Sequence, residues 1–210
     1  MVEDPDIPRN VTRIFAGGNT SMCCDRKGNW YMWGLDILRQ SKSIQQKPSV
    51  SFMNVRSVIP YPQLVNLFSF EVKDLAIGEQ HILALDTDGN VYAAGSNLKG
   101  QCAATGEFIP QFTKVNVPAG MQGVFAIGYV SGCYGPEGLY MWGDCESLIM
   151  SIFTDKTEGA KPRAVPNLKN VEMVKASGTH ILVQCAVEQS RKRETEGEEE
   201  SEAKKAKVDA

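Results

Sequence analysis

Only two histidines occur in the 210 residues, and none of the six cysteines forms a Cys-x-x-Cys pair. Zinc sites draw on His and Cys at short, regular spacings, so no metal centre of that kind is expected. No apolar run approaches the roughly 18 residues a membrane span needs. Excess positive charge is also missing: 22 Lys and Arg stand against 25 Asp and Glu, for a net charge of −3. From Glu188 onward there are six basic and eight acidic residues, which leaves the rest of the chain nearly neutral. A neutral body lacks the cations that displace counterions from phosphates, which argues against non-specific nucleic-acid binding. The opening Met-Val-Glu-Asp-Pro-Asp is acidic and reads as neither a secretory signal nor a mitochondrial presequence. No nucleophile elbow, phosphate loop or metal motif is present, so we expect no catalytic residue, metal or cofactor. Without an export signal, Cys23, Cys24, Cys102, Cys133, Cys145 and Cys185 read as small apolar core residues.

What the chain has instead is repetition. Four stretches begin alike: Val11-Thr-Arg-Ile-Phe-Ala-Gly-Gly18, Val72-Lys-Asp-Leu-Ala-Ile-Gly78, Gly123-Val-Phe-Ala-Ile-Gly128 and Val171-Glu-Met-Val-Lys-Ala-Ser-Gly178. Their closing glycines lie 60, 50 and 50 residues apart. Three continue into a second block: Gly28-Asn-Trp-Tyr-Met-Trp-Gly34, Gly89-Asn-Val-Tyr-Ala-Ala-Gly95 and Gly138-Leu-Tyr-Met-Trp-Gly143. Period-two alternation in His81-Ile-Leu-Ala-Leu85 and Asn90-Val-Tyr-Ala-Ala94 marks half-buried strands, and Thr87-Asp-Gly-Asn90 between them is a hairpin turn.

A sheet of three or four short strands cannot cover both its faces, so such units must stack. Units of about 50 residues rich in strands point to an all-β, propeller-like array of blades. Glycine where the inner strands converge would admit a neighbouring backbone, and Trp33 and Trp142, at matching positions, would fill space between sheets farther out. The spacing predicts an N-terminal flank at 1–8 and propeller repeats over 9–187, divided as 9–69, 70–119, 120–168 and a partial 169–187. A charged tail follows at 188–210. The stretch 35–69, with Pro48, Pro60 and Pro62, reads as an extended loop carrying one outer strand.

The second unit, Gly78-Glu-Gln-His-Ile-Leu-Ala-Leu-Asp-Thr-Asp-Gly-Asn-Val-Tyr-Ala-Ala-Gly-Ser-Asn-Leu-Lys-Gly-Gln101, resembles the repeat of the regulator of chromosome condensation family. Here Ala94 stands where that repeat has Trp, and Cys102-Ala103 where it has Leu-Gly. The first and third units are weaker copies without the histidine. The fourth stops before its Tyr-x-Trp-Gly strand, and the order of unit types resembles the C-terminal half of the family's seven-bladed propeller. The resemblance thus implies a partial propeller of about three and a half blades. Such an open array has two raw flanks, so we expect a fragment or a chain that completes itself by oligomerising.

The same resemblance implies a guanine nucleotide exchange factor acting on the small GTPase Ran through protein contacts, in the nucleus and in association with chromatin. His81 and His180 occupy equivalent repeat positions, where family histidines contact the GTPase; a bond from each to the neighbouring blade is the structural reading of the same positions. Asp74 and Asp86 are candidates for a polar rim beside them. Exchange works by binding the nucleotide-free GTPase better than the loaded one. A 10⁵-fold loosening needs about 7 kcal/mol of differential binding, more than two histidines supply. The family's wedge toward the phosphate-binding region lies in earlier blades, so weak or no exchange is expected from this chain alone. A binding scaffold of the same repeat class, unrelated to Ran, is the alternative.

In the tail, Arg191-Lys192-Arg193 and Lys204-Lys205-Ala206-Lys207 are separated by ten residues. That is the pattern of a bipartite nuclear import signal, with Lys192, Arg193, Lys204, Lys205 and Lys207 as its cations and an import receptor as its partner. The acidic Glu198-Glu199-Glu200 between the clusters also fits a solvated mixed-charge end.

Overall fold

The computed structural model describes residues 8–39, 58–145, 161–177 and 180–186. Among these residues there are fourteen strands and no α-helix. They form successive antiparallel meanders. The first sheet is β1 (Val11–Gly17), β2 (Thr20–Asp25), β3 (Trp30–Leu35) and β4 (Val58–Val65); the second is β5 (Val72–Ile77), β6 (His81–Asp86), β7 (Val91–Ser96) and β8 (Phe108–Lys114). The third is β9 (Gly123–Ile127), β10 (Val130–Gly135), β11 (Gly138–Gly143) and the short β12 (Arg163–Ala164). The fourth holds only β13 (Val171–Ser177) and β14 (His180–Cys185). The architecture is an all-β partial propeller. β4 lies in the stretch read as an extended loop, of which residues 40–57 lie outside the described residues, as does the tail.

Each sheet shares a core with the next, because alternate side chains along a strand point to opposite faces. Met22 and Met32 of the first sheet pack with Leu75, Ile77 and Ile82 of the second. Leu83, Leu85 and Val91 point the other way and pack with Val124, Cys133 and Trp142 of the third. Phe125, Val130 and Met141 of the third meet Val171 and Val174 of the fourth. Burying each such Leu or Val contributes about 1.5–3 kcal/mol, and no sheet could bury both faces by itself.

The hairpins between second and third strands are built identically in the first two sheets. Asp25 accepts hydrogen bonds from the backbone N–H of Lys27 and Asn29, from Asn29 Nδ2 at 2.9 Å and from the Tyr31 hydroxyl. Asp86 accepts the same set from Asp88, Asn90 and Tyr92. Burial works to raise both carboxyls, but the hydrogen bonds together outweigh it and hold each below the ordinary aspartate value. Asp86 is therefore a turn-forming residue, not part of a rim beside the histidines. Asp74 is tied elsewhere too: it accepts from the N–H of Leu75 and, across to the third sheet, from that of Val124.

The strand register corrects one alignment. Thr20, His81, Val130 and His180 open the second strands and pair with Gly34, Gly95, Gly143 and Ser177. Counting back from them, Gly18 and Gly128 are equivalent, but the matching residue of the second sheet is Glu79. Gly78 sits one place earlier, level with Gly17. Gly18 and Gly128 are turn glycines, with φ of 52° and 54°. Gly78 is needed for another reason, since a Cβ there would run into the imidazole ring of His81. Its missing side chain makes room for the imidazole. Gly17 meets a third need, close approach between sheets, because its Cβ would run into the carbonyl of Ile77.

Candidate functional site

The polar seam between the second and third sheets is the most specific arrangement among the described residues. His81 begins β6 and is fully buried. Its Nε2 lies 2.8 Å from Ser131 Oγ, on the second residue of β10. Ser131 donates its own hydroxyl proton to the backbone carbonyl of Gln101 at 2.6 Å. A serine has one proton to give, so Nε2–H of His81 is the donor to Ser131 and Nδ1 carries the lone pair. The Gln101 carbonyl accepts a second bond from Trp142 Nε1 at 2.9 Å, which uses both its lone pairs. Burial pushes the His81 imidazole down to about 3, so it is neutral at physiological pH.

Gln101 is held in place by the turn that carries it. Asn97 Nδ2 donates to the carbonyls of Ala104 and Gly106, its Oδ1 accepts from Cys102 N–H, and Gln101 Oε1 accepts from Lys99 N–H. Ala103, where the repeat it resembles has Gly, adopts a φ of 51°. On the outside of the seam Lys99 and Asp144 pair at 3.5 Å, an exposed contact that contributes little.

His81 and His180 occupy equivalent register positions at the start of β6 and β14. They are not brought together: His81 is buried in the seam, and His180 is exposed. Lys192, Arg193, Lys204, Lys205 and Lys207 lie outside the described residues. Ser131 and Gln101 were not singled out by the sequence pattern. The signal for Ser131 was present in Val130-Ser-Gly-Cys133, which matches Thr20-Ser-Met-Cys23 of the first unit, but the third unit reads only as a weaker copy without the histidine.

The first and second sheets are joined differently. Arg13 donates to the carbonyls of Val72 and Lys73, at 2.6 Å each, while its guanidinium lies over the rings of Phe15 and Trp30. Cys23, Cys24, Cys102, Cys133 and Cys145 are buried free thiols, and burial pushes Cys102 and Cys133 up to about 12.

The histidine-led strand, the Asp-Gly hairpin and the Asn97–Gln101 turn lie within one stretch that matches a known repeat. The family model described as the regulator of chromosome condensation repeat matches residues 72–101. The chain carries that repeat. It is 35% identical over 112 residues to Protein pim1 of Schizosaccharomyces pombe, an alignment covering 53% of this chain and 20% of that protein. It is 26% identical over 174 residues to Protein RCC1 of Candida albicans, covering 75% of this chain and 37% of that one. The fold matches the crystal structure of Prp20p from Saccharomyces cerevisiae, described with its binding properties to Gsp1p and histones, at a TM-score of 0.68 and 21% identity. That match covers 92% of this chain and 48% of Prp20p. The chain thus spans well under half the length of the curated relatives it matches, and about half of the solved one.

Proposed function

We propose that this chain is a protein-contact module of the Ran exchange-factor type, with no covalent chemistry of its own. The observation that carries the reading is the His81–Ser131–Gln101–Trp142 seam. It fixes the end of the second sheet where the turn Gly78-Glu79-Gln80 enters β6, and Glu79 N–H is tied across the seam to the carbonyl of Gly128 at 2.8 Å. A rigid row of such turns is a surface on which a GTPase can be held without reorganisation cost. In this reading His81 acts by positioning its turn, and His180 occupies the same place in the fourth sheet. Similarity to Protein pim1 and Protein RCC1 supports the assignment of partner.

The immobilised chain should retain nucleotide-free Ran in preference to GTP-loaded Ran, and speed the release of a fluorescent nucleotide only weakly. Equal retention of both forms would favour a scaffold of the same repeat class. Full-rate exchange would contradict the expectation that the wedge toward the phosphates lies in blades this chain does not carry.

The tail is proposed to direct nuclear import through Lys192, Arg193, Lys204, Lys205 and Lys207. Ten extended residues reach about 33–36 Å, enough to seat the two clusters in separate receptor pockets. Removing residues 188–210 from a fluorescent fusion should abolish nuclear accumulation, and unchanged accumulation would remove the tail from the account. Contact with chromatin belongs to the same proposal, by resemblance.

A further inference from the structure

At their hairpin end the first and second sheets are joined by a cation, and the second and third by an anion. Arg13 and Asp74 hold equivalent register positions, opposite Cys24 and Leu85. Asp74 spends both carboxylate oxygens, on the N–H groups of Leu75 and Val124. Arg13 gives two of its five N–H donors to the carbonyls of Val72 and Lys73, and its others have no acceptor among the described residues. The third strands differ as well: β3 opens with Trp30 where β7 opens with Val91.

A groove of about 540 Å³ opens here, between the two sheets, walled by Arg13, Trp30, Leu64, Phe68, Phe70 and Glu71. Its size falls within the roughly 300–1,000 Å³ of ligand pockets. The rings are set against one another, with Trp30 and Phe68 centroids 4.9 Å apart and Phe68 and Phe70 5.8 Å. They are only half-buried, and Leu64 beside them is 62% exposed. The groove therefore keeps apolar surface in contact with water. Its surroundings are cationic. Arg26, Lys27 and Lys73 are exposed and stand within two residues of the lining. Of the acids equally near, Asp25 is spent in its own hairpin and Asp74 on the third sheet, which leaves Glu71.

From this pairing of open aromatic surface with unspent positive charge we propose that the groove docks an extended acidic peptide carrying a bulky apolar side chain. The apolar side chain seats against Trp30, Leu64 and Phe68. A carboxylate next to it takes the remaining donors of Arg13 as a charge-assisted pair. The guanidinium is pre-set for this role. Its bonds to Val72 and Lys73, and its place 5.1 and 5.8 Å from the ring centres of Phe15 and Trp30, fix its plane before a ligand arrives. Lys27 and Lys73 draw in further acids and set the direction of approach. The groove lies at the opposite end of the strands from the turn Gly78-Glu79-Gln80, so it is separate from the surface proposed for Ran.

Fluorescence anisotropy of a labelled peptide, Asp-Glu-Phe-Asp-Glu, titrated with the full chain tests this. Saturable binding is expected, weaker by about tenfold when the peptide's Phe is replaced by Ala or its acids by Asn and Gln. Leu64→Glu should weaken it by about tenfold, through lost apolar area and like-charge repulsion. Lys27→Glu combined with Lys73→Glu should do the same at low salt and much less at high salt, where exposed charges are screened. Leu182→Glu, at a position 69% exposed on the fourth sheet, should leave binding unchanged. All four positions are exposed, so the β-sheet circular dichroism should persist, and the peptide replacements do not touch the protein at all. No saturable binding, equal binding of the acidic and neutral peptides, or a loss with Leu182→Glu as large as with Leu64→Glu would overturn the proposal. Retention of Ran is read separately and does not enter this outcome.

Discussion

Trp142→Ala is expected to lower the free energy of unfolding by about 3–5 kcal/mol, the usual cost of removing a large aromatic from a packed core. Trp142 is fully buried among Leu83, Leu85, Cys102 and Val124. It also donates one of the two hydrogen bonds that the Gln101 carbonyl receives. Truncation therefore opens a cavity in the shared core and loosens the turn that closes the seam. Trp142→Phe separates the two effects: most of the area stays while the Nε1 donor goes, so a loss of about 1 kcal/mol from the hydrogen bond, plus a small packing deficit, is expected. Urea denaturation with an unchanged slope measures both. Should alanine cost less than about 1 kcal/mol, the core between the second and third sheets would not be a main support of the fold.

The second large effect is a pH dependence that has its origin in His81. Its folded value lies near 3 because of burial, whereas an unfolded histidine titrates near 6.5. The depressed group contributes stability that is whole above about pH 6.5 and lost as the pH falls toward 3, because in that window only the unfolded chain takes up the proton. The slope approaches about 1.4 kcal/mol per pH unit, so stability should drop by about 2 kcal/mol between pH 7 and pH 5. Asp25 and Asp86 act in a lower window. Their carboxyls are held below the ordinary aspartate value, so their contribution persists above about pH 4 and fades only beneath it. The two sources are thus separable. His81→Gln should flatten the profile between pH 5 and 7 and leave the acid limb, whereas a slope that survives this substitution would show that another group carries it. Ser131→Ile should be costly at every pH, because it removes the acceptor of a buried N–H and adds bulk to a filled seam.

Much of the fold was legible because the repeat writes itself in local chemistry. Alternation in His81-Ile-Leu-Ala-Leu85 announced β6, Thr87-Asp-Gly-Asn90 announced its hairpin, and the interrupted fourth unit announced a two-stranded sheet. The glycine that closes the second unit was harder to place. Gly78 and Gly18 look equivalent when spacing alone is counted, yet Gly18 turns the chain and Gly78 clears space for an imidazole. Asp74 and Asp86, alike on paper as rim candidates, differ for a related reason. Asp86 is used within its own hairpin, and Asp74 reaches the backbone of the next sheet.

The amino-acid order by itself determined the strands, their turns and the succession of units, since each depends on residues a few places apart: alternation sets which side chains share a face, and an Asp-x-x-Gly-Asn turn folds on its own hydrogen bonds. Only the tertiary structure decided that His81 lies buried against Ser131, 50 residues away, while the equivalent His180 is exposed. A side chain's burial is a property of what the neighbouring sheet supplies, and no local pattern encodes a neighbour.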